Sequence, residues 1–353
     1  VDSIRRTRQG VEIGIMRWRV WVPAGLELEH EDDVESYALA PPRRSAGRTE
    51  ERDDDDDVPG TIRISDELYL GVRLEWKHTH EDNFNLDDDD AEDRIDDELT
   101  VRTELTWRPA GQNFYGLVGA RHTTLFRDDQ DDGSSTRGQA RLSELYGYWD
   151  HVGGRDLDVQ FGRQDFDDPR EWLYDQNLDA LRLIWRAFGL RTELSASTTL
   201  SNGSPKDEAT DNFIAYVTND DPDRTLGAYI IDRRDRRSPR DYPIHIGARA
   251  FGEWFPRHES WAELSVVRGY EGDIDLRGYG FDLGTTWEPK DSDWHFTCGF
   301  AYGSGDSDPG DGVDHAFRQT GLQDNNAKMG GVTSVRYYGE LLDPELSNLS
   351  ILT

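Results

Sequence analysis

The feature that most constrains this chain is a period of two that recurs along nearly all of it. Leu68, Leu70, Val72, Leu74 and Trp76 alternate with Tyr69, Gly71, Arg73 and Glu75. Leu99, Val101, Thr103, Leu105 and Trp107 alternate with Thr100, Arg102, Glu104 and Thr106. Successive side chains of a strand point to opposite faces, so each stretch predicts a strand with one apolar and one polar face. The same pattern returns at 114–126, 157–161, 181–185, 190–196, 244–250, 279–287 and 294–302. No amphipathic helix of three turns competes with it.

The connections alternate in length. Arg108 to Asn113, Phe188–Gly189, Pro256 to Ser260 and Glu288 to Asp293 are short and carry Pro or Gly. Glu31 to Gly60, His80 to Glu98, Arg127 to Arg137 and Gly303 to His315 are long and acidic. Short turns on one side and long loops on the other are the pattern of an antiparallel transmembrane β-barrel. Trp76, Trp107, Trp287 and Trp294 sit at strand ends, where a membrane–water interface favours them. Core aromatics of a soluble β protein are the blander explanation.

Composition fits a barrel better than a soluble core. Only 35% of the 353 residues are hydrophobic, against about 45–50% in soluble domains. Yet 11% are aromatic, with 11 Trp and 14 Tyr, and disordered chains are poor in aromatics. A barrel reconciles the two by spreading apolar residues over one face around a wet interior. No run of 18 apolar residues exists, so no transmembrane helix is expected. The chain opens on Val1 with no basic and apolar leader, as expected where a signal peptide has been removed or left out.

The formal net charge of −32 excludes nucleic acid as a partner, because nothing would neutralise phosphates. The runs Asp53 to Asp57 and Asp87 to Asp90 read as solvated loops and match no calcium loop. The one cysteine, Cys298, makes neither a disulfide within the chain nor a metal site. Nine His show no zinc spacing. Close acid pairs such as Asp167 and Asp168 could serve a glycosidase, but 72 acidic residues make such pairs by chance. No enzyme and no cofactor are expected.

The polar faces carry Arg73, Arg102, Arg121, Arg182, Arg186, Arg191 and Arg249, with Glu75, Glu104, Glu193, Glu253 and Asp282 among them. Rings of arginine select anions in pores, and guanidinium groups bind carboxylates bidentately. The alternative is satisfied ion pairs that only stiffen the wall.

Two segments carry a family resemblance. One is LDVQFGRQDFDDPREWLYDQNLDALRLIW, residues 157–185; the other is FRQTGLQDNNAKMGGVTSVRYYGELLDPELSNL, residues 317–349. FGRQ, QTGL and ELSNL in this order and spacing resemble the alginate export porin family. GYGFDLGTTW at 278–287 is a weaker match, and SELYGYWD at 143–150 is compatible. The resemblance implies a monomeric outer-membrane barrel of about eighteen strands. It implies passive export of alginate, a polyuronate, through an arginine-lined constriction. It points to Arg163 and Asp175 as lumen residues and, by position, to Glu144, Asp282 and Arg336. The chain departs from the exporter at Ser143, where an Arg precedes the Glu, and at Asp165, Asp167 and Asp168 after FGRQ.

One barrel domain over residues 1–353 is expected, incomplete at its C-terminus, because twelve or thirteen strands are too few to close the family's barrel. The implied partners are an anionic polysaccharide, outer-membrane lipid and periplasmic export proteins. A general or small-anion diffusion porin on the same fold stays open. So does a soluble acidic carbohydrate-binding β protein of a halophile.

Overall fold

The computed structural model describes the backbone of residues 3–7, 10–15, 18–23, 60–81, 93–129, 133–168, 170–198, 200, 209–219, 221, 223–290, 294–323 and 350–352, and side chains between residues 62 and 323. Arg336, the acidic runs 53–57 and 87–90 and the ELSNL stretch at 345–349 lie outside the described residues.

Strands β1 (Ser3–Thr7), β2 (Gly10–Ile15) and β3 (Trp18–Pro23) form a sheet of their own in that order. The other strands belong to one closed barrel. It runs through β4 (Gly60–Arg63), β5 (Leu68–Glu81), β6 (Arg94–Trp107), β7 (Phe114–Asp129) and β8 (Gly133–Trp149). Then come β9 (Leu157–Asp167), β10 (Asp175–Ala187), β11 (Leu190–Thr198), β12 (Thr210–Asn219) and β13 (Arg224–Asp235). β14 (Asp241–Phe255), β15 (His258–Glu271), β16 (Ile274–Leu276), β17 (Tyr279–Trp287) and β18 (Phe296–Gly303) follow, with β19 (Val313–Asp314) and β20 (Ser350–Leu352) last.

Thirteen of these strands have eight residues or more, as many as the alternating stretches suggest. Where that count leaves an open edge, the structure completes the circle with β4 beside β5 and β20 beside β18. Closure matters physically, because an edge in lipid leaves backbone groups without partners. Neighbours pair antiparallel except for a two-residue parallel contact between β16 and β19.

The alternation sorts side chains as expected. Leu74, Leu105, Leu145, Leu181, Leu194, Leu226 and Leu264 are each exposed on the outer face. Polar residues such as Thr100, Gln160, Asn212 and Ser265 are buried on the inner one. An aromatic row marks the short-turn end: Trp107, Phe114 and Trp149 adjoin at 6.2 and 5.4 Å, and Trp287 meets Phe296 at 5.6 Å. Such girdles belong at the edge of the apolar band. Phe188 and Gly189 both take positive φ, +57° and +69°. That is the two-residue turn whose twist matches a hairpin.

Two loops read as long are in part strand. β5 continues to Glu81 and β6 starts at Arg94, while β7 and β8 leave only residues 130–132 between them. Cross-strand ion pairs explain the extension above the apolar band. Arg127 holds Asp96 through two bonds of 2.7 Å, and Arg94 holds Glu81 at 2.6 and 2.9 Å.

Candidate lumen site

The interior has two unlike sides. On the β9–β17 side, two connecting segments fold inward onto the wall. The first is residues 168 and 170–174, between β9 and β10; the second is residues 315–323, after β19. Trp172 stacks on Phe317, with ring centroids 6.1 Å apart and planes 18° apart, and both rings are buried. Gln319 donates to the Trp172 carbonyl at 3.3 Å, and the Thr320 hydroxyl donates to the Leu173 carbonyl. The backbone N–H of Asp175 donates to the Leu322 carbonyl at 2.7 Å. The QTGL element is therefore the clasp for the loop that follows FGRQ.

Charge ties this clasp to the wall. Arg249 on β14 holds the Asp168 carboxylate with both terminal nitrogens, and its Nε donates to Glu263 at 3.0 Å. Arg170 reaches Glu263 at 3.6 Å and Asp282 at 3.3 Å, and lies 4.6 Å over the Trp261 ring. The Trp261 N–H donates to Asp282 at 2.6 Å. Asp168 also accepts the N–H groups of Trp172 and Leu173 at 3.0 and 3.1 Å. Arg182 clasps Glu193 with bonds of 2.7 and 2.9 Å, and Arg191 joins the same carboxylate at 2.9 Å. Arg186 meets Asp158 at 2.7 Å, and the Tyr148 hydroxyl donates to it at 2.6 Å.

Five guanidinium groups (Arg170, Arg182, Arg186, Arg191, Arg249) thus face five carboxylates (Asp158, Asp168, Glu193, Glu263, Asp282). The Arg249 side chain has no exposure at all. A buried charge is tolerable only with such partners. Arg182, Arg249 and Asp282, expected to line the lumen, face inward and are held there in buried wall ion pairs. The Asp167–Asp168 pair is not an acid–base pair either. Alternation turns Asp167 outward, and Asp168 is spent on Arg249.

The β5–β8 side is different. Arg73 stands opposite Arg102, Arg102 opposite Arg121, and Arg121 opposite Arg141. Directly opposite residues share a face, here the inner one with buried Thr100 and Leu117. Four arginines therefore form one rung across four adjacent strands. The next rung reads Gly71, Glu104, Gly119, Glu144, and the rung beyond the arginines reads Glu75, Thr100, Thr123, Gln139. Arg102 approaches Glu75 at 3.9 Å, and Arg141 donates to Gln139 at 2.8 Å. Three glutamates thus attend four arginines. Like charges placed directly opposite are destabilising, so the rung is a place where stability yields to another demand.

The sequence reading names Arg73, Arg102, Arg121 and Glu144 as lumen residues, and the structure brings them together here. The reading omits Arg141, although Arg137, Gln139 and Arg141 continue the polar alternation of β8. It also misses Arg170 and Asp168 as wall partners, because nothing local shows that their loop folds inward. Arg163 is corrected in position. It pairs directly with exposed Leu145 on one side and with Asp179 on the other, so it lies on the outer face. There it bonds the Leu142 carbonyl at 3.1 Å and Asp179 at 3.4 Å. Asp175 opposes Asp167 on the same outward register, and its backbone N–H joins the clasp. Ser143 occupies the bulge between the rungs of β7 and β8.

Among solved structures, the chain is similar to the low-pH structure of OprB from Pseudomonas putida. Identity is 14%, coverage is 66% of this chain and 87% of that one, and the TM-score is 0.29. OccK7 (OpdD) from Pseudomonas aeruginosa is 13% identical over 73% of this chain and 70% of its own, with a TM-score of 0.41. No curated protein matches. The sequence profile of the family described as Alginate export matches residues 66–353. With that match over most of its length, on a closed antiparallel barrel with an apolar outside and a charged inside, the chain belongs to the alginate export family of outer-membrane porins.

Proposed function

We propose that this porin lets an anionic polysaccharide of the polyuronate class leave the cell passively, along the β5–β8 side of its lumen. The observation that carries the reading is the rung Arg73–Arg102–Arg121–Arg141. At about 4.8 Å between strands the rung spans roughly 14 Å, wide enough to meet more than one carboxylate of a sugar chain. Arginine forks suit carboxylates, and the nearby glutamates keep each contact weak enough to release. The opposite side contributes shape rather than charge, because its arginines are already matched.

The test is single-channel conductance of the refolded chain in planar bilayers, with and without mannuronate or guluronate oligomers. Wild type should be anion-selective and blocked by the oligomers. Arg102→Gln with Arg121→Gln should weaken block by about tenfold or more, with a smaller loss of chloride conductance. Equal losses of both would favour a small-anion diffusion porin instead.

A further inference from the structure

The outer face carries a basic and aromatic cluster that the conduction path does not use. On β13–β15, Asp232 stands opposite Ile244, and Ile244 opposite Arg268. One outward step further toward the long-loop end are Arg234 on β13 and the opposed pair Tyr242 and Tyr270. The two tyrosine rings lie 5.6 Å apart. Arg234 sits 5.5 Å over Phe213, itself half exposed on the outer face, which fixes the guanidinium outside the barrel. Directly below, Ile230, Ile246 and Leu264 are about half exposed and form the top of the apolar band.

We propose that this cluster binds a phosphorylated glycolipid of the outer leaflet. Phosphate oxygens prefer planar arginine forks, and amphipathic tyrosines mark headgroup depth. Arg234 spends Nε and Nη2 on Asp232, with bonds of 2.6 to 3.2 Å. Asp232 does not engage Nη1. The Arg234 side chain is still 59% exposed, so the fork is presented to the headgroup layer rather than buried with its carboxylate. Arg268 places Nη1 on the Val267 and Gly278 carbonyls at 2.7 and 3.3 Å and is otherwise exposed. Two strand spacings separate the two arginines laterally, roughly 10 Å, a span that suits two phosphates on one sugar headgroup. Acyl chains would then run down over Ile230, Ile246 and Leu264. In a chain of net charge −32 such a basic cluster is the feature of the outer face that suits phosphate.

The chain in detergent micelles is examined by native mass spectrometry with diphosphoryl lipid A, with phosphatidylethanolamine and with inorganic phosphate. Wild type should retain lipid A over phosphatidylethanolamine. Arg234→Gln with Arg268→Gln should lose that retention by about tenfold. Conductance in planar bilayers should be unchanged, since neither residue faces the lumen; that readout also shows that the variant folds. Equal retention by wild type and variant, or no preference for lipid A, would overturn the proposal. If inorganic phosphate displaces lipid A at comparable concentration, the cluster is only a phosphate site and the glycolipid assignment fails.

Discussion

At the scale of single residues, an arginine on an inner face means different things on the two sides of the barrel. Arg249 is a structural ion: it pairs with Asp168 and Glu263, both of them buried. Arg249→Met should therefore destabilise the fold by about 3–5 kcal/mol, the cost of leaving buried carboxylates unpaired. Denaturant titration of the folded band on cold electrophoresis measures this, and a loss under about 1 kcal/mol would contradict the assignment. Arg121, on the half-buried β5–β8 rung, should show the reverse profile, with little lost stability and a clear loss of anion selectivity. Gly162 has a local role of its own. Its φ is +114°, and a Cβ there would meet the Leu145 carbonyl oxygen at 2.2 Å, so the FGRQ glycine serves close strand approach rather than substrate contact.

At the scale of elements, the two infolded segments act as one clasp. Trp172, Phe317, Gln319 and Thr320 join them to each other, and Arg170 and Asp168 join them to β14, β15 and β17. Further anchors lie on the wall. Arg233 donates to the Thr320 carbonyl at 3.1 Å, and His245 bonds the Arg318 carbonyl at 3.0 Å. The clasp occupies lumen volume, so loosening it should widen the pore. Trp172→Ala combined with Phe317→Ala should raise single-channel conductance and add current noise. Traces indistinguishable from wild type would mean that the clasp does not limit flow.

At the scale of the whole molecule, the balance of charge is uneven around the lumen. The β9–β17 cluster pairs five arginines with five carboxylates, whereas the β5–β8 side sets four arginines on one rung, with Glu75, Glu104 and Glu144 on the flanking rungs. A polyanion should therefore be steered to one side by a field that salt can screen. The Debye length falls from about 10 Å at 0.1 M to about 3 Å at 1 M. Oligouronate block should weaken steeply over that range, while conductance per unit of bulk conductivity changes little. Block that is indifferent to salt would point to sugar packing rather than arginine attraction.

The sequence by itself determined which face each side chain takes. A strand's period is two, so Leu74 goes to lipid and Arg73 goes inward whatever the neighbours are. It also determined where the short turns fall, because Phe188–Gly189 leaves no room for another connection. FGRQ, QTGL and ELSNL were enough to indicate the family. Register was not legible, since sliding a strand by two residues preserves every face. Only the paired strands show that Arg73, Arg102, Arg121 and Arg141 share one rung, and that Arg163 stands beside Leu145 on the outside. Nor could local pattern show that residues 168, 170–174 and 315–323 fold inward. That depends on carboxylates and rings brought from β14, β15 and β17, far away in the chain, and only tertiary contact decides which inward arginines are buried in wall ion pairs.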